Sequence, residues 1–147
     1  MKPFCGTSDR TVICYFPTKD DLVTSVLVVM GERLQDVLAG SFAAPAADHV
    51  SLVAAVWPAL ARPGVDRLLG LYFEAIGQAA AGLQPYRALA SQLVEGRIGW
   101  LADNVVGDPD VQRAEAVTAL AMLDGLLLMR QLAGPAAADL AAARLLR

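Results

Sequence analysis

His49 is the single histidine of this chain, and Cys5 and Cys14 are its only cysteines. With the adjacent carboxylates Asp20 and Asp21, these are the side chains best suited to covalent or acid–base chemistry. A Ser–His or Cys–His nucleophile would require His49 as its base, oriented by a third group, and nothing in the spacing supplies that constellation. No cluster of His, Cys, Asp and Glu has the spacing of a metal site, and no glycine-rich loop could cradle a phosphate. Asp20 and Asp21 are fully explained as the acidic first turn of a helix, where negative charge meets the positive end of the dipole. The expectation is a protein that is not an enzyme and holds neither metal nor cofactor.

Composition narrows the class further. The chain has 147 residues, one domain's worth, with 56% hydrophobic residues and a mean hydropathy of +0.47. No run of eighteen apolar residues exists, and the longest apolar segment, Val117 to Leu132, is broken by Thr118, Asp124 and Arg130. A membrane-spanning helix is therefore not expected. Met1 to Val12 is polar, without the apolar core of a signal peptide. A cytoplasmic chain with reduced thiols follows as the expectation. The excess apolar surface must be buried inside, between subunits or around a ligand. A net charge of −3 and a pI near 5.0 do not argue for nucleic acid, since binders usually carry a basic patch. Only Lys2, Arg10 and Lys19 gather near the N-terminus.

The elements read as helices throughout. Ser8 caps a short helix that Pro17 stops, because a proline biases the residue before it away from helical angles. Thr18 then caps a long helix to about Leu38, with Asp21 completing a capping box. Pro17 and Leu22 hold the two positions of a hydrophobic staple. Apolar residues recur at three- and four-residue steps from Leu22 to Leu38. Asp48 caps a helix to about Ala61, in which Pro58 predicts a kink or an early end. Further helices are expected over Val65–Ala81, from Pro85 to about Val106, from Pro109 to Ala133 and over Ala136–Leu146. Gly96 and Gly99 predict a close helix approach, and Asn104 and Gln78 are polar groups that could orient a ligand. With no period-two alternation, the fold class is all-α.

The helix ending at Ala133 is apolar nearly all round, through Leu120, Met122, Leu123, Leu126, Leu127, Leu128 and Met129. A helix apolar on every side is buried on every side. In a chain this short, a second copy is the expected cover, and soluble oligomers are most often two-fold dimers. Ala114, Thr118, Ala121 and Gly125 supply small residues for close approach, and Met122, Leu128 and Met129 complete the expected homodimer interface.

The stretch Gly6-Thr7-Ser8-Asp9-Arg10-Thr11-Val12-Ile13-Cys14-Tyr15-Phe16-Pro17-Thr18-Lys19-Asp20-Asp21-Leu22 resembles the recognition-helix end of the TetR family of bacterial transcriptional regulators. There a helix-turn-helix finishes with a Ser-rich turn, a short helix, an aromatic-Phe-Pro-Ser/Thr-Lys joint and a fourth helix. Ser8 matches the turn, Thr11 the family's Thr/Ser, and Phe16, Pro17, Thr18, Lys19 and Leu22 the joint. The motif covers about a tenth of the chain. Ile13 and Cys14 depart from it, standing where the family usually carries Tyr, or Tyr or Arg. The family also places two helices before this point, for which Met1 to Thr7 is too short.

The resemblance implies an N-terminally truncated head over 1–17, with its recognition helix near 8–16. The implied body over 18–147 is a TetR-like ligand-binding and dimerisation bundle. It implies DNA contacts from Ser8, Arg10, Thr11, Tyr15 and Lys19. It also implies an effector pocket among the helices over 49–61, 65–81 and 85–106. The expected lining is Trp57, Leu60, Leu68, Tyr72, Phe73, Ile76, Tyr86 and Leu89, suited to an apolar small molecule. The segment around Asp124-Gly125-Leu126 resembles the family's C-terminal dimer helix. The function expected is a ligand-responsive homodimeric regulator. Its alternative is a small-molecule-binding and dimerisation module with no DNA-binding activity of its own.

Overall fold

The structure, a computed structural model, describes residues 15–147. Among these residues the fold is all-α, with six α-helices and one 3-10 turn. They are α1 (Lys19–Leu38), α2 (His49–Leu60), α3 (Asp66–Ala80), α4 (Tyr86–Ala102), α5 (Pro109–Ala133) and α6 (Pro135–Leu145). The recognition helix expected near 8–16 falls outside the described residues, apart from its last two positions, as do Ser8, Arg10, Thr11, Cys5 and Cys14.

The caps form as the sequence predicts. The Thr18 hydroxyl oxygen accepts from the Asp21 amide at 3.1 Å, and Asp21 accepts in return from the Thr18 amide, also at 3.1 Å. Asp48 Oδ1 accepts from the Ser51 amide at 2.8 Å. Asp108 Oδ1 accepts from both Asp110 and Val111 at 3.1 Å, with Pro109 in the first turn of α5. Each satisfies donors that a helix start leaves free. Pro58 does not stop α2 outright. It falls in the last turn, and the Ala61 amide still donates to Trp57 O at 2.8 Å. The Gly134-Pro135 stop holds: Gly134 has φ +92° and ends α5, and α6 restarts at once on Pro135.

One boundary differs clearly. The helix expected to run to Val106 ends at Ala102. The chain after it pairs instead with Ala46 in an isolated β-bridge. Ala46 donates to Asn104 O at 2.7 Å and Val106 donates to Ala46 O at 2.9 Å. The bridge buries Val105 and ties the loop before α2 to the end of α4. Periodicity within one helix cannot reveal a backbone partner about sixty residues away. Asn104 is spent here too, donating its side-chain amide to Trp100 O at 2.8 Å.

The core has two parts. The larger joins α2, α4, α5 and α6, with Leu38 of α1 and Leu69 of α3 also part of it and Leu52, Val53 and Val56 of α2 wholly enclosed. The smaller joins α1 to α3 through Leu27, Met30, Tyr72 and Ala75, with Leu89 and Leu93 of α4 packed against it. α5 is the central element, touching α2, α3, α4 and α6. By length and composition α5 is apolar enough to cross a membrane. In this bundle it turns Leu120, Leu123, Leu126 and Leu127 into the core. The expected close approach at Gly96 and Gly99 is absent, for a Cβ added to either would meet nothing within 4 Å beyond its own helix. The close approach occurs at Gly31 of α1, where a Cβ would sit 3.1 Å from Leu93 of α4.

Candidate ligand-binding site

A partly enclosed cleft of about 260 Å³ runs along the seam between the two cores. α1 contributes Met30, Gly31, Leu34, Gln35 and Leu38. α3 contributes Leu68, Leu69 and Tyr72, while α4 contributes Gln92, Leu93, Gly96, Arg97 and Trp100. The volume sits just under the roughly 300–1,000 Å³ range of drug-sized pockets, so the cleft suits a small ligand. Two features of the sequence open it. Gly96 leaves a side-chain-free patch on α4, with no neighbouring atom within 4 Å of where a Cβ would stand. Trp100 is held at the other end of that face, its ring 5.4 Å from that of Phe42.

The polar end of the cleft is built by three helices. Arg97 of α4 lays its guanidinium 4.5 Å above the Tyr72 ring and donates from Nη2 to the Tyr72 hydroxyl. That hydroxyl donates to Asp124 of α5, 3.2–3.3 Å from its two carboxylate oxygens. Arg97 Nη1 reaches Asp124 Oδ1 only at 3.4 Å, and Arg97 Nε is buried with no hydrogen-bond partner. Burial pushes the Tyr72 phenol up to about 12, outweighing the nearby guanidinium. Burial also raises the Asp124 carboxyl, against the pull of Arg97 and the Tyr72 hydrogen bond. A phenol that stays protonated is a hydrogen-bond donor rather than a base.

The structure redistributes the residues expected to line the pocket. Leu68 and Tyr72 do line this cleft. Leu60 lines a smaller cavity of about 30 Å³ beneath it, and Tyr86 an outer groove against α1. Trp57 is buried in the larger core, and Phe73, Ile76 and Leu89 pack on the smaller one. At this cleft α1, not α2, forms the wall opposite α3 and α4. Arg97 was a readable signal, since it sits one turn beyond Leu93 on the apolar stripe of α4. Asp124 was another, a carboxylate inside an apolar helix, where a buried charge must find a partner.

The expected interface residues share one exposed stripe of α5. Ala114, Thr118, Ala121, Gly125 and Leu128 are all exposed at helical spacing, with Met129 beside them. Met122 is the exception, half-buried against the larger core. Tyr15, four residues before α1, and Lys19, its first residue, both expected at DNA, are exposed. His49 serves structure: its amide and Nδ1 lie 2.5 and 2.6 Å from Glu115 Oε2, tying α2 to α5. Among the described residues no three His, Cys, Asp or Glu side chains come together as a metal site. Neither a family model nor any curated protein or solved structure matches this chain significantly.

Proposed function

We propose that this chain is the effector-binding, dimerising body of a ligand-responsive transcriptional regulator of the TetR type. The effector is an apolar small molecule held between α1, α3 and α4. One observation carries the ligand reading: a well-formed apolar cleft with a few converging polar groups, the usual form of a small-molecule site, lies on the seam between two cores. The regulator reading rests on the Phe16-Pro17-Thr18-Lys19 joint of the sequence. Its coupling logic is geometric. α1 is one 20-residue helix, about 30 Å long at 1.5 Å per residue. It begins at the joint and lines the cleft with its last three turns. A ligand that prefers one placement of α1 shifts the population of that placement and moves the chain before Thr18 with it.

The test has two arms. Thermal shift and titration calorimetry with small apolar probes should raise the melting temperature, since a ligand that binds only the native state stabilises it by mass action. Gel mobility shift on DNA upstream of the protein's own gene should then show a complex that the binding probe alters. Probe binding without any DNA complex selects the DNA-independent binding module. No binding by any probe removes the ligand reading.

A further inference from the structure

We propose that the ligand of this cleft is an amphipathic acid, a short apolar chain or ring bearing one carboxylate, and that Arg97 recognises the carboxylate. The inference rests on the cleft being a ligand site and names the ligand's class. Arg97 is the one charged side chain among the lining residues. A guanidinium presents five N–H donors in a fixed fork. Here Nη2 is given to the Tyr72 hydroxyl, Nη1 reaches Asp124 at a long 3.4 Å, and Nε has nothing.

The contrast within the same bundle is direct. Arg130 closes a two-bond fork on Asp66 at 2.6 and 3.1 Å. Arg97 has a carboxylate nearby and forms no such fork. Asp124 divides itself between Tyr72 and Arg97, and burial raises its carboxyl despite the adjacent cation. An arginine kept half-buried with a spare donor is poorly explained as a structural ion pair, because an unsatisfied buried donor is destabilising. It is well explained as a guanidinium whose terminal nitrogens a ligand carboxylate can take over from Asp124, which holds Nη1 only at 3.4 Å, and from the Tyr72 hydroxyl, while Nε stays enclosed. Apart from Gln35 and Gln92, the remaining wall, with Leu34, Leu68, Leu93 and Trp100, suits an apolar body.

The experiment titrates the full chain with decanoate, 1-decanol, decylamine and 2-naphthoate, read by calorimetry. Decanoate is expected to bind about tenfold or more tighter than decanol, the scale of a charge-assisted hydrogen bond, and decylamine not at all. Naphthoate distinguishes a ring from a chain as the apolar body. Arg97→Met should erase the difference between decanoate and decanol. Asp124→Asn, which removes the competing carboxylate but keeps a hydrogen-bond acceptor, should tighten decanoate alone by several-fold, and it keeps the test open if Arg97→Met does not fold. Equal binding of decanoate and decanol by the unmutated chain overturns the inference while leaving the cleft a ligand site. A decanoate preference that survives Arg97→Met overturns it as well. Failure of every probe removes the ligand site and this inference together.

Discussion

Arg130, buried in α5, forks onto Asp66 in the first turn of α3, with Nε to Oδ1 at 2.6 Å and Nη2 to Oδ2 at 3.1 Å. The Asp66 hydrogen bond raises the Arg130 guanidinium above its ordinary value. The two partners are not equivalent. Arg130 is enclosed, whereas the Asp66 side chain keeps 39% of its exposure and sits where the helix dipole favours an anion.

The first prediction follows from that asymmetry. Asp66→Ala strands a buried cation and should destabilise the fold by about 2–3 kcal/mol, somewhat below the roughly 3–5 kcal/mol of a fully enclosed pair. Arg130→Met leaves an aspartate that water and the α3 N-terminus can still accommodate, so its loss should be about 1 kcal/mol. Urea unfolding of the two variants compares them. Equal losses would show that the partners contribute alike and that burial does not decide the matter.

A second prediction concerns acid. The His49 hydrogen bonds hold the Glu115 carboxyl below its ordinary value, and the Ser51 hydrogen bond does the same for Asp48. A carboxylate whose value is depressed by folding binds fewer protons in the native state. Its stabilising contribution is present above the unfolded value, about 4, and is lost as pH falls through the lower native value. Glu115→Gln and Asp48→Asn should each lower stability near neutrality and flatten its decline below about pH 4. Denaturant midpoints across that range provide the measurement. Parallel curves for the mutants and the unmutated chain would contradict the assignment.

Gly96 gives a third. It stands inside α4 with no neighbouring atom within 4 Å of a would-be Cβ, and it lines the cleft. Gly96→Ala should therefore stabilise the protein by up to about 1 kcal/mol through helix propensity alone. Gly96→Leu should keep the fold and fill the cleft, abolishing binding of any apolar probe. Heat denaturation and calorimetry together separate the two effects. A Leu variant that binds probes normally would place the ligand elsewhere.

Local signals were the legible ones. Thr18, Asp48 and Asp108 announce three helix starts because each bonds to amides two or three residues away. Likewise the small residues Ala114, Thr118, Ala121 and Gly125 fall on one face because helical spacing alone puts them there. What stayed hidden depends on which helix meets which. The Ala46–Val105 bridge shortens α4, and the placement of α1 against α3 and α4 moves the cleft away from Trp57, Phe73, Ile76 and Leu89. The trio of Arg97, Tyr72 and Asp124 spans three helices, and no periodicity within one of them records a partner in another.

The last prediction concerns the outer face of α5. Its inner side is filled by Leu120, Leu123, Leu126 and Leu127, but Val117, Leu128, Met129 and Leu132 remain exposed, Leu132 to 78%. α6 adds Leu140 and Leu145. Large apolar patches are uncommon on monomers and mark interaction sites. Along the stripe Gly125 has open space where its Cβ would be. In an isolated chain, then, Gly125→Ala should only stabilise, by about 1 kcal/mol. Across a two-fold contact, where the same residue meets its own copy's helix, an added methyl group would push the helices apart. We expect a dimer at micromolar concentration by light scattering, converted to monomer or aggregate by Leu128→Glu and weakened by Gly125→Ala. The sign of the Gly125→Ala effect decides between the two situations. Stabilisation independent of protein concentration, together with a monomeric unmutated chain, would rule out the dimer and leave the stripe as bare surface.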